Sequence, residues 1–345
     1  MRKALVVSTD PKEIGAAVRQ LLGDALSYLY PAALRVAANA DIAEHLADGP
    51  RTAADLAERT GLHADHLHRV LRFLAGRGVF REDEDGRFHT TVAASLLRGG
   101  SPVTLRNLVL LFTSDMYWLP AGRLSDTVGK GNTVFDELFG GQIFDHLAKD
   151  AEAATLFADA MADLSVLEHG GMAESYEFPE NGTVIDIAGG LGGMLHAVLT
   201  RNPSVRGVLV DRPEILARHR VRDPAVADRF ETAEGDFFSA VPSGGDVYLL
   251  KRIIHDKSDE DAIRILRTVR QAMSGTARLL IIDIVVPPGG LPHPNPMSDL
   301  LMMTVFEGRE RTEEEISGLL SAAGLKLSRV LTTPSAMSIT EAMAT

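Results

Sequence analysis

The chain has 345 residues, 45% of them hydrophobic, and 47 acidic against 35 basic residues give a net charge of −12. That length favours two domains, or one large domain with a helical extension, and the acidic balance repels phosphate backbones, which argues against nucleic acid as a partner and for a neutral or cationic small molecule. The lack of cysteine removes disulfides, thiolate metal sites and thiol nucleophiles, and no apolar run suits a membrane span or a signal peptide, so a soluble cytoplasmic protein with no membrane partner is expected.

In chain order, the first 178 residues read as helices almost throughout, and residues 179–345 as a second domain of alternating strands and helices, with the turn Glu180-Asn181-Gly182 between them. Inside the helical half, RTAADLAERTGLHADHLHRVLRFLAGRGVFREDEDGRFHTT (51–91) predicts a helix capped by Thr52 and stopped by Gly61. A second helix over 63–75 follows, then a hairpin turning at Asp85-Gly86. This is a winged-helix pattern, spanning about 33–98 with its flanks. Ten carboxylates against eight arginines between Asp41 and Arg98 make it slightly acidic, which favours a structural or dimer-forming role over DNA reading. His63, His66 and His68 lack the one-turn spacing of helical metal ligands, His293 lies in proline-rich LPHPNP, and no metal site is expected.

Five apolar, β-branched runs follow: TVIDIAG (183–189), RGVLVD (206–211), RFETAEGDFF (229–238), DVYLLKR (246–252) and ARLLIIDIVV (277–286). Their alternation with helical stretches predicts an α/β fold with a parallel, doubly wound sheet. The first run leads into a glycine-rich turn and a helix. Gly189, Gly190, Gly192 and Gly193 let the backbone approach a nucleotide-like cofactor, although such turns also serve packing. Asp211 ends the next strand, placed to accept both hydroxyls of a ribose, features that NAD would fit equally. The third run ends in Glu234-Gly235-Asp236-Phe237-Phe238, either an adenine-binding acid with a stacking ring or a turn acid beside core aromatics.

The stretch YLLKRIIHDKSDEDAIRIL (248–266) carries His255 between a strand and an acidic helix start. By spacing alone, His255 is a base or simply a loop histidine; Ser258 is the helix N-cap.

Together DIAGGLGG, LVDRPEIL, EGDFF, LLKRIIHDKSDEDA, DIVVP and GRERTEEEISGLLSAAGL resemble the S-adenosylmethionine-dependent O-methyltransferases of the plant caffeic acid and isoflavonoid type and their actinobacterial antibiotic-tailoring relatives. The resemblance covers nearly the whole chain. It implies a Rossmann-like catalytic domain, an amino-terminal domain that forms a homodimer and completes the substrate pocket, and S-adenosylmethionine as cofactor. By position it implies Ala188, Gly189, Gly190 and Gly192 as the cofactor loop, Asp211 at the ribose, Asp236 and Phe237 at the adenine, and Lys251 as the cofactor lysine. It further implies His255 as general base, with Asp283 and Glu310 as the carboxylates beside it.

Three positions depart from the family pattern. Ala188 replaces a glycine, tolerable if the backbone there needs no positive φ; Lys257 stands where a tryptophan usually follows His-Asp; Asp283 is one methylene shorter than the usual glutamate. The implied reaction is methyl transfer to a hydroxyl of a small aromatic or polyketide-type acceptor, with apolar candidates Phe144, Met161, Met302 and Phe306 lining its pocket, and with Trp118 and Met303 as weaker ones. The alternatives are C- or N-methylation, or tailoring without methyl transfer, such as decarboxylation, hydroxylation or cyclisation.

Overall fold

The computed structural model describes residues 10–289, 292 and 295–345. Contacts divide the chain into two compact units, residues 1–113 and 114–345. The shift in composition near residue 180 marks where the strands begin, not where the contacts divide: the helices from Asp115 to Glu174 belong to the unit that holds the main sheet.

In the first unit, helix α1 (Pro11–Ala25) buries none of its residues and leaves Ile14, Val18, Leu21 and Leu22, one apolar stripe, at 49 to 68% exposure. Helix α2 (Leu29–Asn39) follows. Helix α3 (Ala53–Thr60) begins at a capping box in which Thr52 and Asp55 satisfy each other's backbone N–H, and ends at Gly61 with φ 71°. Helix α4 (Ala64–Ala75) is capped by His63. Strands β1 (Phe80–Glu82) and β2 (Arg87–Thr90) form the hairpin, and Gly86 takes the positive φ of its turn. Leu56, Leu67, Leu71, Leu74, Phe80 and Phe88 close one core beneath these elements.

The second unit opens with helices that include α5 (Ala151–Val166) and a short helix over His169–Glu174. The sheet then assembles from β3 (Thr183–Ile187), β4 (Arg206–Asp211), β5 (Phe230–Glu234), β6 (Val247–Lys251), β7 (Arg278–Asp283), β8 (Leu325–Thr332) and β9 (Ser338–Ala344). Helices α6 (Gly193–Arg201), α7 (Asp259–Ala272), α8 (Pro296–Val305) and α9 (Glu313–Ala322) separate them. The strand order is β8-β9-β7-β6-β3-β4-β5. The five expected strands run parallel, but β9 pairs antiparallel with both β7 and β8, so the sheet is mixed at that edge. Two of the expected runs are also shorter: residues 235–238 turn away from β5, and 277–286 break at Ile284.

The sheet is covered on both faces. Met194, Leu195 and Val198 of α6 join one cluster with Val184 and Leu249, and Ile265, Leu266 and Val269 of α7 join another with Ile185 and Leu250. Each such side chain contributes about 1.5 to 3 kcal/mol on full burial. The chain leaves β3 toward β4 on one side and returns to β6 on the other, so the carboxyl ends of β3 and β6 flank the switch point where open sheets bind ligands. Among the described residues no helix is long and apolar enough to cross a membrane.

Candidate active site

Most of the candidate residues sit at or just past the carboxyl ends of β3, β4, β5, β6 and β7. After β3, the backbone enters the left-handed region at Ala188 (φ 54°), Gly190 (φ 59°) and Gly192 (φ 85°), and Gly192 caps α6. The condition set for Ala188 therefore fails: its backbone does need a positive φ. A left-handed non-glycine residue costs roughly 1 to 2 kcal/mol, partly offset by the lower chain entropy of alanine. Ala188→Gly is expected to stabilise the protein by about 0.5 to 1 kcal/mol, read as a rise in the thermal denaturation midpoint. Gly189 is fixed for another reason, since a Cβ there would sit 2.5 Å from Asp186 Oδ2.

Asp211, at the end of β4, accepts hydrogen bonds from the N–H of Gly190 (2.9 Å, Oδ2) and of Arg212 (2.8 Å, Oδ1). Burial pushes its carboxyl above the usual range. It thereby ties the strand end to the glycine turn and keeps further lone pairs for a ligand. Beneath the turn lies Asp186, 1% exposed, whose oxygens form no well-formed hydrogen bond among the described residues; burial pushes it up to about 7, opposed by Lys251. Sequence reasoning missed Asp186 because it sits in the middle of an apolar strand run. A buried carboxyl beside a glycine cradle and a ribose-type acid fits a nucleoside that carries a cationic group, as S-adenosylmethionine does.

Asp236 and Phe237 lie just past β5, but both carboxylate oxygens of Asp236 are engaged within its own turn, by the Phe238 N–H at 2.9 Å and the Ser239 hydroxyl at 3.0 Å. Phe237 stacks edge-on with Phe238. Lys251, at the end of β6, is tied to Glu168 (3.1 Å) and to the Ser165 hydroxyl (3.1 Å), and burial lowers its pKa. Arg252 meets the other oxygen of Glu168 at 2.5 Å. Glu168 and Ser165 carried no sequence signal, since a helix end gives no hint of which strand it will face.

His255 lies on a single turn of 3-10 helix, Ile254–Asp256, directly after β6 and is 7% exposed. Its Nδ1 is 3.0 Å from Glu310 Oε1, which also accepts from the Ser298 hydroxyl at 2.6 Å. Glu310 thus holds the tautomer in which Nδ1 carries the hydrogen, and Nε2 makes no hydrogen bond among the described residues. Asp283 is not a ring partner. Its Oδ2 accepts the backbone N–H of His255 at 3.2 Å, and burial pushes its pKa up to about 6. Burial alone would lower the His255 pKa, but the charges of Asp283 and Glu310 outweigh it and raise it above 6.5. Burial likewise works against the Glu310 charge, yet its bonds to His255 and Ser298 keep that carboxyl below its usual range.

The GRERT segment fixes this arrangement. A Cβ on Gly308 would overlap the His255 carbonyl oxygen and lie 2.5 Å from the Asp256 carbonyl carbon. The buried guanidinium of Arg311 donates to the carbonyls of Ile254 (2.8 Å) and Lys257 (2.7 Å), which bracket His255, and to Asp259 (2.8 Å). Thr312 and Glu315 form the capping box of α9.

Beside the His255 turn is a narrow cleft lined by Phe144, Val305, Phe306 and Lys257 among others. The Phe144 and Phe306 rings stand 6.1 Å apart. Met302 is 5% exposed and belongs to the core, Met161 is half-buried, and neither lines this cleft. His63 serves as a cap and His68 pairs with Glu82 at 2.8 Å, which gives both a structural use; His293 lies outside the described residues.

A family model described as the O-methyltransferase domain matches residues 122–326, and one described as the O-methyltransferase dimerisation domain matches residues 24–99. The chain is 40% identical to a phenazine O-methyltransferase of Lysobacter antibioticus over 317 residues, 91% of this chain and 93% of that protein. It is 36% identical over 304 residues, 86% of this chain and 81% of the other, to an aclacinomycin 10-hydroxylase of Streptomyces purpurascens. Among solved structures, a methyltransferase of calicheamicin biosynthesis in an SAH-bound form superposes with a TM-score of 0.82 at 43% identity, covering 98% of this chain and all of that one.

Proposed function

The chain belongs to the O-methyltransferase family, and on that premise we propose that it transfers a methyl group from S-adenosylmethionine to a hydroxyl, phenolic in character, of a small aromatic secondary metabolite. The observation that carries this reading is the His255–Glu310 pair at 3.0 Å, with Nε2 left for an acceptor. Bound S-adenosylmethionine supplies an activated methyl group on a sulfonium. Ala188, Gly189, Gly190 and Gly192 cradle it, Asp211 takes the ribose, Asp236 and Phe237 stand at the adenine, and Lys251 lines the crevice between them.

The acceptor lies against Phe144 and Phe306. A phenol is scarcely ionised at neutral pH, so His255 Nε2 removes the hydroxyl proton as the oxygen attacks. Glu310 orients the imidazole and stabilises the imidazolium that forms, while Asp283 fixes the His255 backbone. The aclacinomycin hydroxylase shows that similar chains serve other reactions; a base held by a buried carboxylate favours methyl transfer here. The protein acts as a homodimer, for which the dimerisation-domain match and the exposed apolar stripe of α1 give support. A cysteine-free chain suits the reducing cytoplasm.

The test joins calorimetry with a pH profile. S-adenosylmethionine should bind the wild type, and methyl transfer to a phenolic acceptor should rise with pH through a midpoint above 6.5, because the base must be neutral and its pKa is raised. Glu310→Gln removes one of the raising charges, so that limb should move to lower pH while the plateau rate falls. No cofactor affinity, or a limb that stays in place, would sink the reading.

A further inference from the structure

Lys257 stands two residues after the base, and its ammonium is turned inward. The side chain is 11% exposed, Nζ lies 4.1 Å from the centre of the Phe144 ring and 5.9 Å from that of Phe237, and its one ionic partner among the described residues is Asp256 Oδ1 at 3.2 Å. That contact engages at most one of the ammonium's hydrogens. An ammonium carries three N–H donors. With Asp256 taking at most one of them, the others are left beside the Phe144 ring on the cleft wall, and a donor left unmade in such a place is costly.

Charge decides what those donors can receive. Lys257 and Asp256 neutralise one another. Of the other carboxylates on the cleft, Asp261 is paired with Arg264 at 2.7 Å, while Asp136 and Glu307 sit exposed at the rim. A carboxylate on the acceptor would add an uncompensated negative charge among them. A neutral oxygen would accept the spare hydrogen bonds without that penalty.

We propose that Lys257 is a specificity-determining residue that donates a hydrogen bond to a neutral carbonyl oxygen of the acceptor, so that the preferred substrates are uncharged hydroxy-aromatic ketones or quinones. The inference rests on the methyl-transfer reading for the role of the cleft, and goes beyond it in naming the substituent that is read. His255 then takes the proton of the hydroxyl while Lys257, the residue that follows its turn, holds the carbonyl.

Binding of 1-naphthol, 1-hydroxy-2-acetonaphthone and 1-hydroxy-2-naphthoic acid to the protein loaded with S-adenosylhomocysteine, followed by calorimetry, tests this. The ketone should bind about tenfold or more tighter than naphthol, as expected for a bond to a charged donor, and the acid should bind no tighter than naphthol. Lys257→Met should abolish the ketone's advantage, and Lys257→Arg should keep it. An acid that binds as well as the ketone, an advantage that survives Lys257→Met, or binding of none of the three overturns the proposal. The wild-type ranking stands even if a variant fails to fold. Should the ketone bind best while no methyl is gained on any of the three in the presence of S-adenosylmethionine, the methyl-transfer reading fails and the Lys257 assignment remains.

Discussion

His255→Gln is expected to lower kcat by about 10²- to 10⁴-fold, the usual contribution of a positioned general base, while cofactor affinity stays within a factor of two or so of the wild type. Glutamine keeps a polar side chain of similar reach but cannot take up a proton at neutral pH. The separation of effects follows from the geometry. The proposed cofactor cradle is built on the ends of β3 and β4 through Gly190 and Asp211, whereas His255 is held by Glu310 and by the N–H bond to Asp283. Single-turnover rates with calorimetry of S-adenosylmethionine binding measure the two separately. A loss below tenfold in the chemical step would remove His255 from the base role and leave it a buried, capped loop residue.

Gly308→Ala is the second large effect, and it arises from sterics. The added methyl group would overlap the His255 carbonyl oxygen and press on the Asp256 carbonyl carbon at 2.5 Å. Both obstacles are backbone, and the Arg311 bonds to Ile254 and Lys257 prevent the turn from sliding away. Overpacking of this kind typically costs about 1 to 3 kcal/mol, and any relief must come from moving His255 off Glu310. A 100-fold or greater loss of methyl transfer is expected, since misplacement by about 1 Å can cost that much, together with a lower thermal midpoint. Gly318→Ala in α9 is the control: nothing lies within 4 Å of its Cβ position, so it should be neutral or slightly stabilising. Equal behaviour of the two variants would refute the close-approach argument.

The inner parallel strands β3, β4, β6 and β7 were legible because their runs are largely apolar and β-branched, as strands buried on both faces must be, whereas β5, at the sheet edge, is mostly exposed. The β8–β9 hairpin was not legible, since Arg329 and Glu341 interrupt its pattern. They are tolerated because Glu341 Oε2 accepts from Arg329 at 3.0 Å and from the Tyr176 hydroxyl at 2.9 Å, a partnership across 165 residues that no local window contains. The same limit applies to the site. The family resemblance put Asp283 and Glu310 forward as equivalent carboxylates for His255, and only tertiary geometry assigns the ring to one and the backbone N–H to the other. Ala188 shows the reverse case, a residue visible at once whose cost depended on a φ that sequence does not carry.

The division of labour in the GRERT segment bears on how such an enzyme changes over evolutionary time. Gly308, Glu310, Arg311 and Thr312 serve in turn the floor under His255, its tautomer, the two carbonyls that bracket it and the start of α9. Four positions within a run of five, each with a separate duty, leave little room for drift. The cleft walls around Phe144 and Phe306 share none of those duties, so on the proposed reading a lineage can acquire a new acceptor by substitution there while inheriting the His255 arrangement intact.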